Sequence, residues 1–169
     1  MNTIRQHRIP FSIIVLLLSS ILIIACNDSG DEDDGRQGGS SIFPPVVFIA
    51  DKDVNVIDEL FVAFSDGTDI VKLSDKLVTR GNVAAFLISP DGFFVAYVAD
   101  QDTAGVFELY VVPVDKTPNE TAVKVSGTMA GNGILQLPSG DYVFGWAPDS
   151  SRIAYVADQN SLGVFELFT

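Results

Sequence analysis

Tyr97–Tyr110 reads YVADQDTAGVFELY and Tyr155–Phe168 reads YVADQNSLGVFELF, identical at ten of fourteen positions. A fainter third copy, FIADKDVNVIDELFV, occupies Phe48–Val62. Aligned on their first aspartate, the copies place Asp51, Asp100 and Asp158 at spacings of 49 and 58 residues. Each aspartate is followed eight residues later by a glutamate: Glu59, Glu108 and Glu166. Recurrence at such a period signals an array of one supersecondary unit whose copies bury their faces against one another.

Each copy reads as a pair of strands. Phe93–Ala99 (FFVAYVA) and Val106–Val112 (VFELYVV) are short, rich in β-branched and aromatic residues, and bounded by turn formers. The first is apolar throughout, as suits a strand covered on both faces by stacked sheets. Between them, Asp100–Gly105 is a loop in which aspartates bond their own backbone and Gly105 accepts positive φ. Upstream stands Ser89-Pro90-Asp91-Gly92, where proline presets φ for a type I turn; Ala147-Pro148-Asp149-Ser150 holds the matching place in the last copy. Downstream, Val114–Thr117 turns into a short strand over Thr121–Val125, as Ser65–Thr68 turns into Asp69–Leu73 in the first copy. A full unit is therefore four strands, A to D: Ala84–Ile88, Phe93–Ala99, Val106–Val112 and Thr121–Val125.

A four-stranded antiparallel meander repeated at this spacing predicts an all-β chain of propeller blades. ISPDGFFVAYVADQD followed by GVFELYVVPVD resembles the TolB-type, WD-like propeller repeat. The resemblance runs from about Val46 to Thr169 and is strongest over Ser89–Asp115. It implies blades at about 46–74, 83–126 and 143–169, roughly two and a half of the six or so in such a ring. The first unit enters at strand B and the third stops after strand C. The expectation is thus a partial TolB-like propeller over 42–169, from a truncated gene or record. A ring completed by several chains and a stand-alone open fragment are the alternatives.

The N-terminus carries an address. Arg5 and Arg8 precede the fifteen-residue apolar run Phe11–Ala25 (FSIIVLLLSSILIIA). Roughly 20 apolar residues are needed to span a bilayer core, so residues 1–25 read as a signal peptide. The run ends in Ile23-Ile24-Ala25-Cys26, which resembles a bacterial lipobox and implies lipidation of Cys26, the single cysteine. Residues 26–41 follow as an acidic Gly/Ser tether with too little apolar surface to fold. Asn27 after the cysteine favours, by enterobacterial sorting rules, the outer membrane. The expected location is the bacterial cell envelope, with the membrane as a partner through the lipid.

Composition narrows the function classes. The formal charge is −12, and the leader holds two bases and no acid, so the processed chain is more acidic still. Nucleic acid is excluded as a partner because phosphate binding needs clustered Lys and Arg. The one histidine, His7, lies in the leader. Histidine-dependent triads, cysteine nucleophiles and soft-ligand zinc sites are therefore excluded. No Gly-x-Ser-x-Gly elbow is present.

The acidic pairs Asp51/Asp53, Asp100/Asp102 and Asp158/Asn160 suggest calcium but lack the further ligands of an EF-hand loop. They read as self-capped hairpin loops, with no metal or cofactor. Glu59, Glu108 and Glu166 read as inter-blade hydrogen-bonding residues, with a lining of a central channel as the alternative. Pro90, Asp91, Pro148 and Asp149 are turn positions. Gly127–Gly133 lacks the lysine of a phosphate loop, and Trp146 reads as core. The expected function is a non-catalytic envelope scaffold binding a protein, peptide or glycan. Alternatives are a decayed fragment, or the propeller portion of a serine peptidase or lyase whose catalytic part lies elsewhere.

Overall fold

Wherever a β-branched or aromatic run meets turn residues, a strand forms. The computed structural model describes residues 44–64, 70–130, 135 and 139–169. These residues contain three antiparallel sheets and no helix. The first sheet has order β1 (Val46–Ala50), β2 (Glu59–Ala63), β3 (Ile70–Lys72). The second has four strands: β4 (Val83–Ile88), β5 (Phe94–Ala99), β6 (Glu108–Pro113) and β7 (Val123–Lys124). The third has order β8 (Phe144–Trp146), β9 (Ile153–Ala157), β10 (Glu166–Phe168). Each strand pairs with its neighbour in sequence, so every sheet is a meander, and none is closed. The leader, the tether, Cys26, the turn expected over Ser65–Thr68 and Asp69 lie outside the described residues.

Register repeats with sequence. Phe48 faces Phe61, Tyr97 faces Tyr110 and Tyr155 faces Phe168, and each of these cross-strand aromatic pairs stacks. The centroids lie 5.8, 5.3 and 5.3 Å apart, within the favoured range for aromatic pairs.

Two hydrophobic cores separate the sheets. One gathers Val47, Leu60 and Val62 from the first sheet against Val95, Tyr97, Ala99, Tyr110 and Val112 of the second. The other gathers Ala96, Val98 and Leu109 of the second against Tyr155 and Ala157, with Phe144, Trp146 and Phe168, of the third. Strand β5 thus sends alternate residues into opposite cores, and Val95 to Ala99 are all fully buried. That explains its unbroken apolar run. Among the described residues, the second sheet meets the first on one face and the third on the other.

Some strand ends differ from the sequence expectation. Phe93 stays outside β5 and is exposed. Val106 bonds the Thr103 carbonyl at 3.0 Å inside a tight turn, so β6 begins at Glu108 rather than Val106. Strand β7 shrinks to two residues because the Ala122 amide donates to Asp75 Oδ2 of the first sheet, at 2.8 Å. The link from the first sheet to the second depends on Gly81, where a Cβ would come within 2.6 Å of the Asp100 carbonyl oxygen.

Candidate functional site

The recurring aspartates hold their own hairpin loops. Asp100 is buried; its Oδ2 accepts the Gly105 amide at 2.7 Å and its Oδ1 the Asn82 amide at 2.5 Å. Asp158, also buried, accepts the Gly163 amide at 2.8 Å. Gly105 and Gly163 take the left-handed backbone that each loop requires. Asp51 is exposed and Asp53 pairs with Lys52. Among the described residues, no three His, Cys, Asp or Glu side chains converge as a metal would require.

Turn residues Asp91 and Asp149 are local caps. Asp91 Oδ1 accepts from Ser89 Oγ at 2.5 Å and from the Phe93 amide at 3.1 Å; these bonds hold its carboxyl below the usual value. Asp149 is held down likewise by Ser151, through its hydroxyl and amide. Pro90 and Pro148 precede them in the same turns. The Asp91 amide donates to Ser150 Oγ at 3.1 Å, tying the two turns together across neighbouring sheets.

The three glutamates bond within their sheets rather than between sheets. Glu108 is buried at the start of β6; its Oε2 accepts the Tyr110 hydroxyl at 3.0 Å and its Oε1 the Lys124 ammonium at 3.1 Å. Tyr110 stands two residues along the same strand, and Lys124 stands opposite Tyr110 on β7. Glu59 pairs with Lys72, which likewise faces Phe61 on β3. Its Oε2 is buried with no partner, because Phe61 lacks the hydroxyl that Tyr110 supplies. Glu166 is exposed and bonds Asn160 at 3.0 Å.

These lysines were not singled out from the sequence, yet a signal existed. Val71-Lys-Leu-Ser74 and Val123-Lys-Val-Ser126 are near-copies. Ser74 Oγ accepts the Leu60 amide at 3.2 Å, as Ser126 Oγ accepts the Leu109 amide at 3.0 Å. The distance from glutamate to lysine differs, 13 residues against 16, and that hides the correspondence.

The described residues include a concavity of the size of a ligand site. A cleft of about 740 Å³ opens between the β3 end of the first sheet and the β5–β6 and β6–β7 loops of the second. Its charged lining comprises Lys72, Asp75, Lys76, Asp102, Lys116 and Glu120. Lys116 Nζ donates to the Leu73 carbonyl at 2.8 Å and to Asp75 Oδ1 at 2.6 Å, riveting the two walls. Glu120 accepts the Thr117 amide at 2.6 Å, which keeps its carboxyl below the usual range. Burial penalises the Lys124 ammonium beside the cleft, but its bonds to Asp102 and Glu108 outweigh that and raise its pKa. Both shifts hold the groups ionised, the reverse of what a general acid or base needs near neutral pH.

No protein-family model matches the chain, and no curated protein is significantly similar to it.

Proposed function

We propose that the three sheets are blades of a TolB-type propeller, carried at the bacterial cell envelope on a lipid attached to Cys26. In this reading the module is a non-catalytic scaffold that binds a protein, peptide or glycan in the cleft between the first two sheets. The observation that carries it is the cleft: large enough for an extended ligand segment, walled by two sheets, and lined by charged side chains of both signs, of which Lys116 and Asp75 pair across it. Such a wall offers donors and acceptors for recognition of a polar ligand. Face-to-face stacking of like meanders supports the blade assignment, since each blade buries its faces on its neighbours.

The test uses the whole chain produced in a bacterial cell. A photo-reactive benzoylphenylalanine at Lys76, on the cleft lip, is expected to yield one envelope-protein or glycan adduct. The same group at Phe93, exposed elsewhere on the second sheet, is expected to yield none. Identical adduct patterns at both positions, or none at Lys76, would sink the binding assignment. Intact mass of the processed chain is expected to show acylated Cys26 at the new N-terminus; an unmodified cysteine with the leader attached would sink the anchor.

A further inference from the structure

The first hairpin turn of the second sheet carries four large apolar side chains in the open. Leu87 and Ile88 close β4, and Phe93 and Phe94 follow the Ser89–Gly92 turn; they are 41%, 41%, 69% and 39% exposed. The second sheet has a neighbour on both faces, so this exposure belongs to the turn itself. The fold does not require phenylalanine there. Aligned by the repeat, Ser151 and Arg152 hold the places of Phe93 and Phe94 in the third sheet. The two turns are otherwise alike, each capped by its aspartate, and the Asp91 amide joins them through Ser150 Oγ at 3.1 Å. Four exposed apolar side chains within eight residues form a contact surface, unlike the singly scattered ones that any protein shows.

In the first sheet the same two places are Pro44 and Pro45, through which the chain enters β1. The first two sheets run the same way. Asp58, just before β2, bonds Asn82 Oδ1 through its amide and the Val83 amide through its carbonyl, both at 2.8 Å. Val83 in turn faces Ala99, the last residue of β5. The far ends of β1 and β5 therefore lie together, and so do their starts, at Pro44 and Phe93. Upstream of Pro44 stand the eighteen residues Cys26–Phe43 and, before them, the apolar run Phe11–Ala25. A link of that length spans at most roughly 60 Å. An acyl group on Cys26 thus holds the bilayer within reach of the end that bears the phenylalanines. The opposite end carries the loops of Asp51, Asp53, Asp100 and Asp102, whose charge an anionic membrane surface repels.

We propose that the Leu87–Phe94 hairpin rests on the phospholipid bilayer to which the chain is tethered. Phe93 and Phe94 insert at the level of the glycerol backbone, flanked by Leu87 and Ile88. Asp91 and Asp149 stay among the headgroups, because a carboxylate is costly to bring into hydrocarbon, and the contact is therefore shallow. It orients the module, with its acidic loops directed away from the bilayer. This inference rests on the lipid-anchor reading above and is independent of any ligand in the cleft.

The experiment reads lipid adducts from benzoylphenylalanine at Phe93 in the full chain, in a bacterial cell that produces it. Ultraviolet light is expected to add the mass of one phospholipid to the peptide holding residue 93, falling to one fatty acid on mild alkaline hydrolysis. This adduct is lipid, distinct from the protein or glycan captured at Lys76. The same group at Leu162, 67% exposed on the β9–β10 loop at the opposite end, is expected to give at least tenfold less. A probe at Ile88 tests the patch in a second way: Phe93→Ser with Phe94→Ser should cut its lipid adduct at least tenfold. The third sheet already carries polar residues at both places, and an unchanged circular dichroism spectrum checks the fold. Equal lipid adducts at Phe93 and Leu162, adducts to protein alone, or a bond from Phe93 to the acyl group of Cys26 itself would overturn the proposal. Intact mass separates the two readings. No phospholipid adduct from a chain acylated at Cys26 overturns the docking and leaves the anchor, whereas none from a chain with Cys26 unmodified overturns both.

Discussion

Val56 carries φ 63° at the loop position where the other two copies have Gly105 and Gly163. A β-branched side chain in that region crowds its own carbonyl, a strain of about 1–2 kcal/mol. The side chain is 80% exposed and little packing would be lost with it. Val56→Gly is therefore expected to stabilise the fold by about 1 kcal/mol in urea unfolding, against the usual direction of glycine substitution. The glutamates give a second test. Tyr110→Phe strands one oxygen of buried Glu108 as Phe61 already strands Glu59, and should cost about 1–3 kcal/mol. Phe61→Tyr supplies the missing donor and should recover about 1 kcal/mol. A double-mutant comparison with Glu59→Gln checks that the gain passes through the carboxylate.

At the scale of elements, equal residues have unequal worth. Leu109 and Leu167 hold the same place in β6 and β10, yet one is wholly buried and the other mostly exposed. Leu109→Ala should cost about 2–5 kcal/mol by emptying the second core, whereas Leu167→Ala should change monomer stability by under about 0.5 kcal/mol. Thermal unfolding at dilutions that keep the chain monomeric decides it. Much of this was legible beforehand. The repeat specified the hairpins, the turns and the place of every described strand, because alternation and turn chemistry are local. Strand ends were less legible: β7 is cut short by Asp75, a residue 47 positions away from the amide it captures. The cleft was not legible either, because its walls come from different repeats. The glutamates were expected to reach between sheets; register instead aims them at Tyr110 and at lysines of the same sheet, a geometry that spacing alone does not show.

Across the whole molecule, the two cores also set the response to alkali. Burial, and then the carboxylates of Asp75 for Tyr97 and Glu108 for Tyr110, push both hydroxyls far above their ordinary value of 10.0. Burial raises Tyr155 as well. A folded-state pKa raised above the unfolded one gives stability that is complete below the unfolded value and lost as pH climbs past it. The fold is expected to hold up to about pH 10 and then fail cooperatively, with tyrosinate absorbance rising in step with loss of the β-sheet circular dichroism signal. Tyrosinate appearing well before that loss would count against the buried hydroxyls.

Strand β5 lies between both cores while β9 lies against only one, and this difference sets how each tolerates change. In a saturation library screened for surviving protein, polar replacements along Val95–Ala99 should be rejected at every consecutive position. Along Ile153–Ala157 rejection should skip every second residue, sparing Ala154 and Val156. One segment and its near-copy would then leave different imprints on a family's drift, a solid bar in the middle sheet and a comb in the outer one.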